Sequence, residues 1–136
     1  MRHNPLTTHC YAGIASRPIN TKAEIRSYAD AYKFLGGEKE KKLGSNLLVH
    51  VVKWTSGGAR IPFSIAIKLY GTDIITYHGD NTFEANNGGF NTPTTSSRCN
   101  QFCPKGWRFA HENKKLVGCF LGKDYETGSK KKLPTR

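Results

Sequence analysis

No stretch of this 136-residue chain stays apolar for long. Hydrophobic residues make up 37% of it and are interrupted everywhere by polar ones, so nothing approaches the roughly 20 apolar residues of a membrane-spanning helix. The opening MRHNPLTTHCYAG has no apolar core behind its arginine, which argues against a secretory signal and for a cytosolic or intraviral setting. Acidic residues are scarce too, with ten Asp and Glu against 21 Lys and Arg. Missing as well are a Walker loop, HExxH, a nucleophile elbow, a carboxylate cluster and any CxxC knuckle. No cofactor is expected from such a chain, and the familiar hydrolytic and phosphoryl-transfer chemistries have no motif to rest on. Its length suits one hydrophobic core rather than two.

What is present is positive charge, and it is unevenly placed. Residues 43–95 are neutral overall, whereas residues 96–136 carry ten Lys and Arg against three acids, a local +7 within a net charge of +11. Such a field draws in polyanions, nucleic acid above all, or an acidic protein surface. Solubility alone is the plainer explanation of the same charge. The four cysteines, Cys10, Cys99, Cys103 and Cys119, read as reduced thiols that pack like small hydrophobes.

Along the chain, residues 1–20 lack periodicity and form an irregular lead-in. Thr21 and Glu24 make a capping box, and Ile25, Tyr28, Ala29, Tyr32 and Leu35 recur at helical spacing, predicting a helix over 22–35 that Gly36 and Gly37 end. Glu38 to Lys42 reads as a solvated connection. The period then becomes two: strands are predicted over Leu47–Val51, Ile61–Leu69, Ile74–His78 and Thr82–Asn86, with hairpin turns at Thr55–Arg60 and Gly79–Asn81. A short helix follows the candidate caps Thr92 to Ser97 and stops at Pro104, with Cys99, Phe102 and Cys103 on one buried face. Trp107–Ala110 and Leu116–Phe120 suggest a last hairpin. The expected architecture is α+β: a single domain over 21–121, with an N-terminal helix packed on an antiparallel meander of five or six strands and a short second helix. Partial closure into an OB-like or SH3-like barrel is one form it takes. Residues 122–136 read as a basic, mobile tail.

The segments FLGGEKEKKLGSNLLVHV and IAIKLYGTDIITYHGDNTFEANNGGFNTPTTSSRCNQF resemble a family of small, uncharacterised proteins of tailed bacteriophages. The family pattern runs LGG, G-x-N, L-x-x-T-D-I-x-T-Y and N-x-G-G-W-x-T-x-T-T-K-x-R-x-N. It is matched here by residues from Leu35 to Asn100, among them Thr72, Asp73, Thr76, Tyr77, Gly88, Gly89 and Arg98. Phe90 stands where the family has Trp, and Ser96 where it has Lys. The resemblance implies phage origin and action in the cytoplasm of the infected bacterial host. It implies no activity.

Three candidate sites emerge. Gly88 and Gly89 followed by Thr92, Thr94 and Thr95 could cradle a phosphate at a helix start, with Arg98 one turn in adding a charge-assisted bond; the bland alternative is a turn and a serial N-cap. Second, Lys53, Arg60, Lys68, Tyr70, Tyr77, Lys105 and Arg108, interleaved with Trp54, Phe90 and Trp107, offer the charge and stacking that nucleic-acid binding uses, while Phe63, Phe102 and Phe109 are assigned to the core. Third, Cys99, Cys103, His111 and Cys119 have the composition of a zinc set, although the inward spacing of Cys99 and Cys103 argues for packing and no metal is expected. The reading is a non-enzymatic nucleic-acid-binding protein with mainly backbone contacts. A protein-binding inhibitor of a host or defence factor is the first alternative. The second is a metal-independent ribonuclease built on His50, His78 and His111 with Arg60 or Lys68.

Overall fold

The change of hydrophobic period at Leu47 becomes a sheet. In the computed structural model, which describes residues 18–57, 60–90, 92–128 and 130–135, strands β1 (Glu40–Gly44), β2 (Leu47–Trp54), β3 (Pro62–Leu69), β4 (Thr72–His78) and β5 (Thr82–Ala85) form an antiparallel meander. Strands β6 (Trp107–Glu112), β7 (Lys115–Phe120) and β8 (Lys123–Glu126) make a second, three-stranded sheet, and β9 (Leu133–Pro134) returns to pair with β5. Helix α1 (Tyr28–Leu35) precedes the first sheet and α2 (Pro93–Phe102) links the two. The class is α+β with a helix on a meander, as the sequence indicated. Neither sheet closes: the chain leaves β5 through α2, and the following hairpin starts its own sheet, so no OB-like or SH3-like barrel forms.

Three assignments changed because tertiary contacts outweighed local signals. Helix α1 starts at Tyr28, where Ser27 is the N-cap and accepts the Asp30 N–H at 3.1 Å. Upstream, the Thr21 hydroxyl donates to the Ala23 carbonyl and Lys22 N–H donates to Leu43 on β1, so the proposed capping box is used for docking instead. The charged run Glu38 to Lys42 supplies β1, with Glu40 opposite His50 and Lys41 opposite Val49. Its lysines suit an edge strand, since they discourage pairing with another chain. Residues 122–136, expected to be a mobile tail, supply β8 and β9 among their described positions. Trp107 Nε1 donates to the Pro134 carbonyl at 2.9 Å, and Gly128 N–H to Ala85. Most of the irregular lead-in, residues 1–17, lies outside the described residues.

One core lies between the first sheet, the two helices and the second sheet. Leu47, Val49, Ile65, Ile67, Ile75 and Tyr77 face it from the meander. Helix α2 docks through Asn100, whose side chain pairs with the β6 backbone like a strand neighbour, donating to Phe109 O at 2.8 Å and accepting from Phe109 N at 2.7 Å. Arg26 covers the C-terminal end of the same helix, donating to Cys103 O at 2.9 Å and Asn100 O at 3.3 Å, where the helix dipole favours a cation. Trp107 stacks on Phe120 at 4.9 Å and on Phe109 at 5.7 Å, with Phe83 edge-on at 5.0 Å.

That aromatic stack leaves no room at Gly118, where a Cβ would sit 2.8 Å from the Phe109 ring and 2.9 Å from Trp107. Gly118→Ala is therefore expected to cost about 1–3 kcal/mol, the usual scale for overpacking. Urea unfolding of the variant checks this; an unchanged midpoint would mean that the stack is loose.

Candidate nucleic-acid interface

Because side chains alternate across a strand, the meander that builds the core also builds a second face turned away from it. Pairing brings His50, Ala66, Thr76 and Glu84 into one row of that face, and Lys53, Ser64 and His78 into the next. A bulge at Ile74 and Ile75, both buried, shifts the β4 register and places Asp73 opposite Lys68. Between these rows lies a polar basin of about 590 Å³, floored by Ser64, Thr76, His78 and Asn86 and edged by Lys53, Lys130 and Lys132.

Two histidine–carboxylate pairs hold the floor. The His78 ring sits between Ser64 and Glu84, with Nδ1 2.7 Å from the serine hydroxyl and Nε2 2.8 Å from the Glu84 carboxylate. An ionised carboxylate only accepts, so Nε2 carries a proton; in neutral His78, Nδ1 then accepts from Ser64. Glu84 also accepts the Lys130 N–H at 2.8 Å, which ties the C-terminal segment to the sheet. His50 Nε2 meets Asp73 at 2.6 Å. Ser64 and His78 are both buried, so the chain of bonds keeps otherwise costly polar groups satisfied. It also leaves Glu84 and Asp73 engaged within the floor, and the lysines above them face solvent.

Phe63 carries two of those lysines. Lys53 Nζ lies 5.7 Å from its ring centroid and Lys132 Nζ 5.9 Å. Two ammonium groups drawn to one ring repel each other, and an anion between them relieves that repulsion. Lys132 is half-exposed and also reaches Asp80 at 3.3 Å, a surface pair of small worth. The Thr82 hydroxyl, 2.5 Å away, holds the Asp80 carboxyl below its usual range, with Lys132 adding to the effect.

The residues singled out in the sequence are dispersed. Lys53 and Lys68 lie on the outer sheet face, Lys53 exposed and Lys68 half-buried. Arg60 stacks over Trp54 at 4.8 Å at the far end of β2. Lys105 and Arg108 are exposed on the side of the second sheet. Tyr70 is exposed on the β3–β4 turn. Tyr77 is a correction: it is 1% exposed, its hydroxyl donates to Phe102 O at 2.5 Å, and burial pushes its pKa well up, so it can contact no ligand. Phe63, placed in the core by its spacing, lines the basin instead. Lys130 and Lys132 were overlooked because nothing local shows that the segment holding them folds back on β5.

The glycine–threonine segment forms a different object from a phosphate cradle. Gly88 N–H is taken by Asn86 Oδ1 at 3.0 Å and Gly89 N–H by Asn87 Oδ1 at 2.8 Å. Thr92 is the N-cap of α2, and its hydroxyl oxygen accepts the Thr95 N–H at 3.3 Å and pairs with the Thr95 hydroxyl at 3.1 Å. Arg98 is buried, and its Nη1 donates to Gln101 Oε1 at 2.9 Å. Gln101 in turn bonds both backbone groups of Ile19, so Arg98 belongs to an inward network joining α2 to the chain before α1. Arg98→Ala is accordingly expected to lower stability by about 1–3 kcal/mol, the cost of breaking a buried polar contact, and to leave polyanion affinity unchanged. Paired melts and binding isotherms check it; intact stability with lost binding would return Arg98 to the ligand side.

The histidines proposed for ribonuclease chemistry divide. His50 and His78 share the outer face, whereas His111 stands on β6 in the second sheet, beside Asn87 at 3.3 Å. Cys99 and Cys103 are free and fully buried. Cys119 is disulfide-bonded, which corrects the all-thiol reading at that position. Among the described residues no three His, Cys, Asp or Glu side chains converge as a metal site. Burial pushes the Cys103 thiol up to about 11 against an opposing pull from Arg26, and raises Cys99 further. Both thiols should thus resist iodoacetamide at pH 8 until the protein unfolds; mass spectrometry showing rapid native alkylation would contradict their packing role.

Comparison with known proteins adds one match. No curated protein and no solved structure matches the chain. The family described as Kyanoviridae Gp96 protein matches residues 39–128, from β1 through β8, and so includes the basin apart from Lys130 and Lys132, the Gly88–Gly89 loop and α2. With most of its length accounted for in this way, the chain belongs to the Kyanoviridae Gp96 protein family, a family of small phage proteins.

Proposed function

We propose that this phage protein binds nucleic acid through the phosphate backbone, on the outer face of the six-stranded sheet, and performs no chemistry on it. The observation that carries the reading is the convergence of Lys53 and Lys132 on the Phe63 ring, over a floor whose carboxylates are already bonded to histidines. Lys130 stands beside them on the same basin. A phosphate seated there meets the ammonium groups at the edge, with the Asp73 and Glu84 carboxylates of the floor held by His50 and His78. Nothing in that arrangement distinguishes one base from another, so affinity follows charge rather than sequence. The +11 net charge supplies long-range attraction to the same ligand.

Neutralising three phosphates on a single strand gives a slope of about −2 in a plot of log K against log salt. That slope is the expected result of fluorescence anisotropy with a labelled oligonucleotide. Replacing both Lys53 and Lys132 with Ala should weaken binding and flatten the slope, whereas Lys33→Ala on the exposed side of α1 should change little. Equal losses per charge removed would reduce the effect to net charge. No binding at low salt, together with a tight complex with one host protein, would favour a role in blocking that protein instead.

A further inference from the structure

Next to the basin, across the β3–β4 turn, lies a second concavity of different character. It holds about 340 Å³, with Leu69 and Ile74 from the sheet at its base, Tyr70 and Phe90 on its sides, and Thr94 at its edge. Thr72 lines both this cleft and the basin, so the two are neighbours with a wall in common. The glycine loop packs against that wall: Gly88 sits so near Thr72 that a Cβ would lie 2.7 Å from its side chain, and its φ of 61° is one that other residues avoid.

The two aromatic residues gain little stability from where they stand. Tyr70 is 69% exposed and Phe90 60% exposed, so neither buries its ring. Tyr70 also occupies the left-handed region at φ 56°, where a bulky side chain is costly and glycine would be easier. A residue that strains the backbone and leaves its ring in water is poorly explained by packing. Its position, on a turn beside a lysine-edged basin, suits a ring that meets a ligand.

We infer that the cleft between Tyr70 and Phe90 receives an unpaired nucleobase by stacking, while phosphates a few nucleotides along the same strand lie over the Lys53 and Lys132 end of the sheet. This rests on the backbone-binding reading above and makes it specific to single strands, because a base held in a duplex cannot enter the cleft. The lining is mostly apolar, and the hydroxyls of Thr92 and Thr95 are bonded to each other. The cleft therefore selects for a flat ring and little for base identity, as stacking platforms do.

The experiment compares three labelled ligands of equal length at one salt concentration: a single-stranded oligonucleotide, its duplex, which carries twice the charge, and an abasic strand with the same backbone as the single strand. The expected order is single strand tightest, with duplex and abasic strand weaker by tenfold or more. Tyr70→Gly and Phe90→Ser should each remove most of that advantage and leave the abasic affinity unchanged, and Tyr70→Trp should retain it. Tyr70→Gly relieves the positive φ, so the variant is expected to fold at least as well, which circular dichroism checks. Equal affinity for all three ligands would overturn the base pocket and leave backbone binding standing. Absence of binding to every one of them at low salt would overturn both.

Discussion

The hydroxyl of Tyr77 is the point on which the rest of the molecule is assembled. Tyr77 stands near the end of β4, inside the core, and its hydroxyl must give its proton to an acceptor or pay the full cost of a buried unmet donor. Phe102 O at the end of α2 takes it, and Ile25 O from the segment before α1 stands 3.3 Å away as a second acceptor. One side chain thereby brings the sheet, the C-terminus of α2 and the approach to α1 together. Arg26 closes the same junction from outside, covering the carbonyls of Asn100 and Cys103. With α2 fixed at that end, Asn100 can pair with Phe109, and the second sheet has its position.

This arrangement makes the outer face of the first sheet available. Both helices and the second sheet pack on the core side, leaving the row of His50, Ala66 and Thr76 and the row of Lys53, Ser64 and His78 without a covering layer of secondary structure among the described residues. A bare polar face would be ordinary on an antiparallel sheet. Here it is not merely solvated, because the returning C-terminal segment bonds to Glu84 and brings Lys130 and Lys132 to its edge. Charge that is spread along the sequence becomes local in space.

The internal bonds of the floor bear on chemistry as well as on binding. Serine, histidine and glutamate in a hydrogen-bonded line have the composition of a nucleophilic relay. Ser64 is buried in β3 and its hydroxyl is spent on His78, so the line keeps these polar groups bonded and ordered. His50 and Asp73 do the same one row along. The lysines at the edge of this floor remain exposed above it.

The sequence by itself determined the elements whose signals are local. Alternation of apolar residues specified β2 to β5, the candidate caps Thr92 to Ser97 bracketed the start of α2, and the spacing of Cys99, Phe102 and Cys103 specified its buried face. The excess of positive charge was equally plain. Tertiary structure alone decided what the polar residues do, because their roles depend on partners distant in sequence. Arg98 and Tyr77, suited by type to contact a ligand, were drawn inward by Gln101 and Phe102. Glu38 to Lys42 became an edge strand because β2 offered unpaired backbone groups beside it. Lys130 and Lys132 reached the basin because β9 pairs with β5, across some 50 residues of chain, and periodicity carries no record of a contact at that separation.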